Sequence, residues 1–230
     1  MQIQPKTTTA TRNKLFVMPF IALGTLILFL VLAYLMQTEK SLAFDVKVSS
    51  LAEHYITGGM YEFISFFTNL GSKPVVIGIA IFTLILMWWK TRDYIGLLTV
   101  VGVLIGSDQL YKVLKDVYER ERPILEPSID AIGYSFPSGH ATVSMAFYGI
   151  IIYFVWKYMK QSTSKTVALY VLGMYIFIMG MSRVLLRAHY ISDVIAGFAI
   201  AFTYVTIWIF LYTVVTNIIS SIRSQKNIPM

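Results

Sequence analysis

The run LFVMPFIALGTLILFLVLAYLM, Leu15 to Met36, contains no charged side chain. As a helix rising about 1.5 Å per residue it can cross a hydrocarbon core of about 30 Å. Lys6, Arg12 and Lys14 precede it, as in a secretory signal. The apolar run is too long for one, however, and no small-residue cleavage site follows Met36, so it reads as a retained anchor. Five further apolar segments follow, at Val75–Trp89, Ile95–Lys115, Ala141–Trp156, Val167–Met181 and Ile195–Ile219. None alternates apolar and polar positions as a barrel strand must, so all six are expected to be helices. Val75–Trp89 and Ala141–Trp156 are short for a span and are expected to draw on flanking residues. The expectation is an all-α polytopic membrane protein with six transmembrane helices and no internal repeat.

Between the first and second spans, Phe44, Val48, Leu51, Tyr55, Tyr61, Phe63 and Phe67 keep a partly helical apolar rhythm, broken at Gly58-Gly59. Short surface helices are expected there, packed over the bundle. The chain is thus divided into a cytoplasmic tail at 1–14, a six-helix membrane domain at 15–219 with extracytoplasmic surface helices at 41–70, and a second cytoplasmic tail at 220–230. Residues Gln2 to Thr11 are polar and read as mobile.

Composition agrees. The 230 residues are 57% hydrophobic and 13% charged, where a soluble domain carries about 25% charged residues; mean hydropathy is +0.67. Cysteine is absent, which excludes disulfides, thiolate metal sites and cysteine-nucleophile phosphatases. The net charge of +7 suggests nucleic-acid binding, but the basic residues are scattered between apolar runs without a stripe, and that partner is rejected. They report orientation instead. With the N-terminus inside, the cytoplasmic side holds Lys6, Arg12, Lys14, Lys90, Arg92, Lys157, Lys160, Lys165, Arg223 and Lys226, with Asp93 as its one acid. Trp88-Trp89 and Trp156 fit interfacial anchors on that face. Both termini are expected in the cytoplasm, in a multi-pass protein of the cell (inner or plasma) membrane.

Three short polar blocks interrupt this hydrocarbon: Lys115, six residues, Arg122-Pro123; then Pro137-Ser138-Gly139-His140; then Ser182-Arg183, five residues, His189, three residues, Asp193. Counting crossings places all three on the extracytoplasmic side, at helix ends. Arginine forks match the oxygens of a phosphoryl group, and lysine adds a point charge. Ser138 is a plausible N-cap, and Gly139 lets helix N–H groups approach a phosphate oxygen. If the last helix begins by His189, Asp193 lies one turn away on the same face. It can then accept the Nδ1–H, fix the tautomer and leave Nε2 free to attack. A phosphate site in an apolar chain points to an enzyme acting on a phosphorylated lipid.

Each residue also has an ordinary reading. His54 reads as an interfacial polar group, Arg187 as a snorkelling side chain, and Asp108 as a partner of Lys112. Arg120 receives no role. The three blocks together, in this order at same-side helix ends, outweigh the ordinary readings of their members.

The blocks match all three signatures of the type 2 phosphatidic acid phosphatase superfamily, and the chain resembles its small bacterial membrane branch. That branch includes phosphatidylglycerophosphate phosphatase B and undecaprenyl pyrophosphate phosphatases. The resemblance implies a metal-independent lipid phosphatase of phospholipid metabolism, without cofactor, cleaving a phosphomonoester or pyrophosphate lipid such as phosphatidylglycerophosphate. It implies His189 as nucleophile, forming a phosphohistidine, with Asp193 orienting it and His140 protonating the leaving group. Lys115, Arg122, Ser138, Gly139 and Arg183 would hold the phosphoryl group. The alternatives are undecaprenyl pyrophosphate as the main substrate, a vanadium-haloperoxidase chemistry that six spans disfavour, and a non-catalytic lipid transporter or scaffold.

Overall fold

The computed structural model describes residues 9–39, 42–123 and 133–226, with side chains described between Met18 and Ile222. Residues 1–8 of the polar tail, and the side chains of Lys6, Arg12, Lys14, Arg223 and Lys226, lie outside that description. The described residues form α1 (Thr9–Thr38), α2 (Ala43–Tyr55), α3 (Gly58–Thr68), a 3-10 turn (Asn69–Gly71), α4 (Lys73–Thr91), α5 (Tyr94–Tyr118), α6 (Gly139–Tyr158), α7 (Thr163–Leu185) and α8 (Ile191–Lys226). Six of these helices are long and apolar enough to span a membrane. The two short segments lengthen as expected, to Lys73–Thr91 and Gly139–Tyr158. Helix also continues past both tail boundaries drawn from the sequence, beginning at Thr9 and ending at Lys226. The break between α2 and α3 falls at Ile56–Thr57, just ahead of Gly58, whose φ of 54° suits glycine.

Helix starts follow local chemistry. Asp93 caps α5 by accepting from Gly96 N at 3.0 Å, and Ser162 caps α7 by accepting from Lys165 N at 3.2 Å. Large apolar side chains such as Phe20, Phe82, Leu98 and Tyr170 stand exposed around the bundle. In water this would be an aggregation surface; around six spanning helices it is the face offered to lipid.

α8 is the axis. More than half of its spanning stretch is buried (56%), against 17% for α4 at the periphery. It packs against α1, α5 and α6. Without a hydrophobic drive inside lipid, helices associate through close approach of small residues. Here Thr25 meets Thr203 at 2.8 Å between α1 and α8. Gly197 lies so near the start of α6 that an added Cβ would sit 2.9 Å from the Ser138 carbonyl oxygen and 3.0 Å from Thr142 Oγ1. At the end where α5 starts, Asp93 accepts from Tyr158 and, at 2.6 Å, from Tyr212, tying α6 and α8 to the α4–α5 turn. Lys90 lies over Trp89 and Arg92 over Trp88 at that same end, as interfacial anchors do.

The nearest neighbour at Gly197 is the Ser138 backbone carbonyl, which cannot give by rotamer change. Gly197→Ala should therefore cost about 1–3 kcal/mol and lower the thermal midpoint in detergent. Gly173→Ala, where a Cβ meets open space, serves as the control. Equal midpoints for the two variants would remove this seam from what holds α6 to α8.

Candidate active site

The three polar blocks meet at the opposite end. Lys115, Arg122, Gly139, His140, Arg183 and His189 line one cavity of about 800 Å³. Lys115 comes from the last turn of α5 and donates to the Tyr134 carbonyl. Arg122, in the segment after α5, donates from Nε to the Gly133 carbonyl at 2.8 Å and from NH1 to the Ala188 carbonyl at 2.7 Å. Arg183 sits in the last turn of α7 and is buried. His140 is the second residue of α6. Below these polar groups the cavity wall turns apolar, through Val76, Ile77, Leu104, Ile105 and Val143.

His189 does not open the last helix. It stands in the turn before α8, which begins at Ile191. Its place is set by the way α7 ends. Arg187 adopts φ 56°, its N–H donates to the Val184 carbonyl at 2.9 Å, and the Ala188 N–H donates to the Arg183 carbonyl at 3.0 Å. This is a Schellman closure, with an arginine where glycine is usual. Arg187 does not snorkel: its side chain is mostly buried and pairs with Glu53 of α2 at 3.0 Å. The turn delivers a buried imidazole to the cavity. Arg122 NH1 lies 3.2 Å from His189 Nε2. A guanidinium can only donate, so Nε2 carries the lone pair and the neutral ring keeps its proton on Nδ1.

Asp193 lies behind that ring, fully buried in the first turn of α8, with Oδ2 3.6 Å from Nδ1. Asp193 is thus beside Nδ1, as the sequence reading placed it, but across a helix start rather than along one helical face, and at a distance beyond a direct hydrogen bond. Oδ2 also accepts from Tyr190 N at 2.9 Å and from the Ser135 hydroxyl. Ser135 Oγ is itself 3.4 Å from Nδ1. Oδ1 accepts from Arg120 NH1. Arg120 is buried, donates to Ser192 Oγ at 2.7 Å and to Asp45 Oδ2 at 2.8 Å, and lies over the Tyr190 ring at 4.2 Å. Sequence reading missed Arg120, Asp45 and Ser135. The available signal was weak: Arg120 falls inside the first block, and Asp45 is one of several polar residues, with Lys47, Glu53 and His54, on a surface helix.

The remaining candidates are placed as follows. Ser138 is wholly buried behind the cavity wall. Its hydroxyl accepts from Ala141 N at 3.5 Å as the α6 cap, and its N–H donates to the Asp193 carbonyl at 3.0 Å. Gly139 reaches the cavity, and a Cβ there would press on the Tyr111 ring at 3.0 Å. Asp108 pairs with Lys112 as the ordinary reading has it, and also with Lys73 at 3.7 Å. His54 is exposed, edge-on to Tyr55. Chemically, the cavity presents one lone pair on a neutral imidazole, a second imidazole and the cations Lys115, Arg122 and Arg183, a set suited to a phosphoryl group, while Lys73 and Lys112 also line it and pair with Asp108.

Burial, then the charges of Arg122, Lys115 and Arg183, hold His189 well below its ordinary value of 6.5. The unfolded chain therefore takes up a proton below about pH 6.5 that the folded protein refuses, and stability falls as pH drops through that range. Between about pH 7.5 and about pH 5.5, the thermal midpoint should fall further in the wild type than in His189→Gln. Equal falls would show that the imidazole is not held neutral.

The chain is similar to known proteins in sequence and in fold. The family model of the PAP2 superfamily matches residues 96–219. Phosphatidylglycerophosphatase B of Bacillus subtilis is 30% identical over 174 residues, spanning 75% of this chain and 85% of that protein. The crystal structure of a transmembrane PAP2-type phosphatidylglycerolphosphate phosphatase from Bacillus subtilis is similar, with TM-score 0.75 and 27% identity over 86% of this chain and 96% of that one. Aquifex aeolicus LpxE, at TM-score 0.56 and 18% identity over 73% of this chain and 97% of its own, is alike in fold alone.

Proposed function

The chain belongs to the PAP2 superfamily, and from that we propose that it is a membrane lipid phosphatase that uses His189 as its nucleophile. One observation carries the mechanism: Nε2 of a buried, neutral His189 faces the cavity beside Arg122, with Asp193 on its Nδ1 side. The substrate class follows from the cavity, whose cationic end suits a phosphate and whose apolar wall suits acyl chains. Phosphatidylglycerophosphate is the proposed substrate, after the activity for which the Bacillus subtilis relatives are named.

The phosphate displaces the Arg122 donor from Nε2 and takes that donor onto its own oxygens, with Lys115 and Arg183 completing the clamp. The freed lone pair attacks phosphorus. An N–P bond forms, the P–O bond to the lipid breaks, and His140 gives its proton to the leaving oxygen. The phosphate's negative charge favours the protonated form of His140 for that task. The Nδ1 proton stays on the ring, which becomes cationic, and Asp193 balances it. Water then attacks phosphorus while His140 accepts its proton. The N–P bond breaks, and inorganic phosphate leaves. Ser138 and Gly139 contribute through the start of α6, Ser138 as its cap and Gly139 by close approach. The distribution of basic residues supports an extracytoplasmic site with both termini in the cytoplasm.

Purified protein in detergent, with excess chelator, should release phosphate from phosphatidylglycerophosphate. His189→Ala should lower kcat on the order of 10³-fold or more. Turnover lost to the chelator, or retained by His189→Ala, would sink the mechanism.

Loss of a general acid matters most for a poor leaving group. His140→Ala should cost about 10²- to 10⁴-fold on a lipid monoester but far less on an activated aryl phosphate. Equal losses on the two substrates would assign His140 some other role.

A further inference from the structure

Asp45 is a buried carboxylate that the reaction above does not use, and it lies outside the residues matched by the family model, 96–219. It sits in the first turn of the surface helix α2. Its Oδ1 accepts from Ser192 N at 3.0 Å, and its Oδ2 accepts from Ser192 Oγ at 2.6 Å and from Arg120 NH2 at 2.8 Å. Arg120 then reaches Asp193 through NH1. The side chains of Asp45, Arg120 and Asp193 are each no more than 3% exposed. We infer that Arg120, held by Asp45, is a positioning residue that fixes the Asp193 carboxylate against the Nδ1 side of His189 and keeps the charge behind that ring negative. The inference rests on the reading of His189 as nucleophile.

Geometry and charge both lead there. Arg120 holds Asp193 Oδ1, while Ser135 and the Tyr190 N–H hold Oδ2. The carboxylate therefore cannot rotate away from Nδ1. Arg120 in turn is fixed by Asp45, by Ser192 and by the Tyr190 ring beneath it. The planar fork reaches the two carboxylates from two different nitrogens; a lysine ammonium, a single point charge, would lose that fixed geometry and the stack on Tyr190. The cluster contains two carboxylates and one guanidinium, so one negative charge remains. That charge matches the positive charge the imidazole acquires when Nε2 bonds to phosphorus. α2 is thus more than a cover over the bundle: it supplies the acid that sets how much of the Asp193 charge His189 feels.

The groups facing His189 are Arg122 from the α5–α6 segment, Lys115 from α5, His140 from α6, Arg183 from α7 and Asp193 from α8. Arg120 and Asp45 act from behind Asp193, so their removal should move the titration of His189 in opposite directions. Two readouts on the full chain in detergent test this: kcat/KM against pH on phosphatidylglycerophosphate, and exchange of the His189 C2 hydrogen against pH by mass spectrometry. Arg120→Gln removes a positive charge and should shift both titrations upward. Asp45→Asn removes a negative charge and should shift both downward. Asp45→Asn and Arg120→Lys should each lower kcat about tenfold with KM within about twofold, Arg120→Lys with its titration near that of the wild type. Lower thermal midpoints with unchanged titrations, or shifts of the same sign in Arg120→Gln and Asp45→Asn, would overturn the inference and leave a purely structural ion cluster. If Arg120→Gln does not fold, the near-isosteric Asp45→Asn decides alone: a downward shift supports the inference and no shift overturns it. If the wild type releases no phosphate from lipid while the C2 exchange still shifts oppositely, the function reading fails and the control of His189 by Arg120 and Asp45 stands.

Discussion

The Asp193 carboxylate is the point on which the site depends. It is wholly buried, and a bare carboxylate there would be prohibitively costly, so every polar partner around it is obligatory. Those partners come from three separate stretches of the chain: Arg120 from the segment after α5, Ser135 from the stretch before α6, and Tyr190 and His189 from the turn before α8. The Asp193 backbone carbonyl also holds the Ser138 N–H, so the second polar block is tied to the third through the same residue. Satisfying one acid thereby assembles the His189 imidazole, the carboxylate beside its Nδ1 and the start of α6.

The membrane explains why this cluster sits at a helix end. Within the spans, backbone groups are satisfied along each helix, and helices meet through small residues such as Thr25, Thr203 and Gly197. Irregular backbone, with its freely directed N–H and C=O groups, is available where helices stop. The Schellman closure of α7 at Arg187, the cap at Ser138 and the turn carrying His189 are all such stops. Each directs polar groups toward one cavity whose other wall is apolar, so a phosphate and its acyl chains can be met in one place.

Much of this was legible in the residue pattern. Six long apolar runs, none alternating as strands do, give six helices, because an uncharged run of that length is stable only inside hydrocarbon. The short runs at Val75–Trp89 and Ala141–Trp156 lengthened because a helix continues past its apolar stretch until a cap stops it, as Ser138 does for α6. Lys115, Arg122, His140, Arg183 and His189 were legible as a set because their spacings place them all at helix ends on one side. Arg187 was not: its left-handed backbone and its pairing with Glu53 depend on how α7 ends against α2.

What the sequence determined alone is whatever follows from local periodicity and composition: an all-helical membrane protein, the number of spans, and a phosphate-directed set of side chains gathered at one end. Tertiary structure decided which polar groups share a low-dielectric interior. Asp45 and Arg120 are 75 positions apart, and Asp45 and Ser192 are 147 apart. No periodicity links such positions, and a charged residue on a surface helix normally faces water. Packing α2 against α7 and α8 removed the water and left each buried charge to be answered by another side chain. Since the strength of an ion pair depends on that local medium far more than on the residues named, the control of His189 became visible only once the chain was folded.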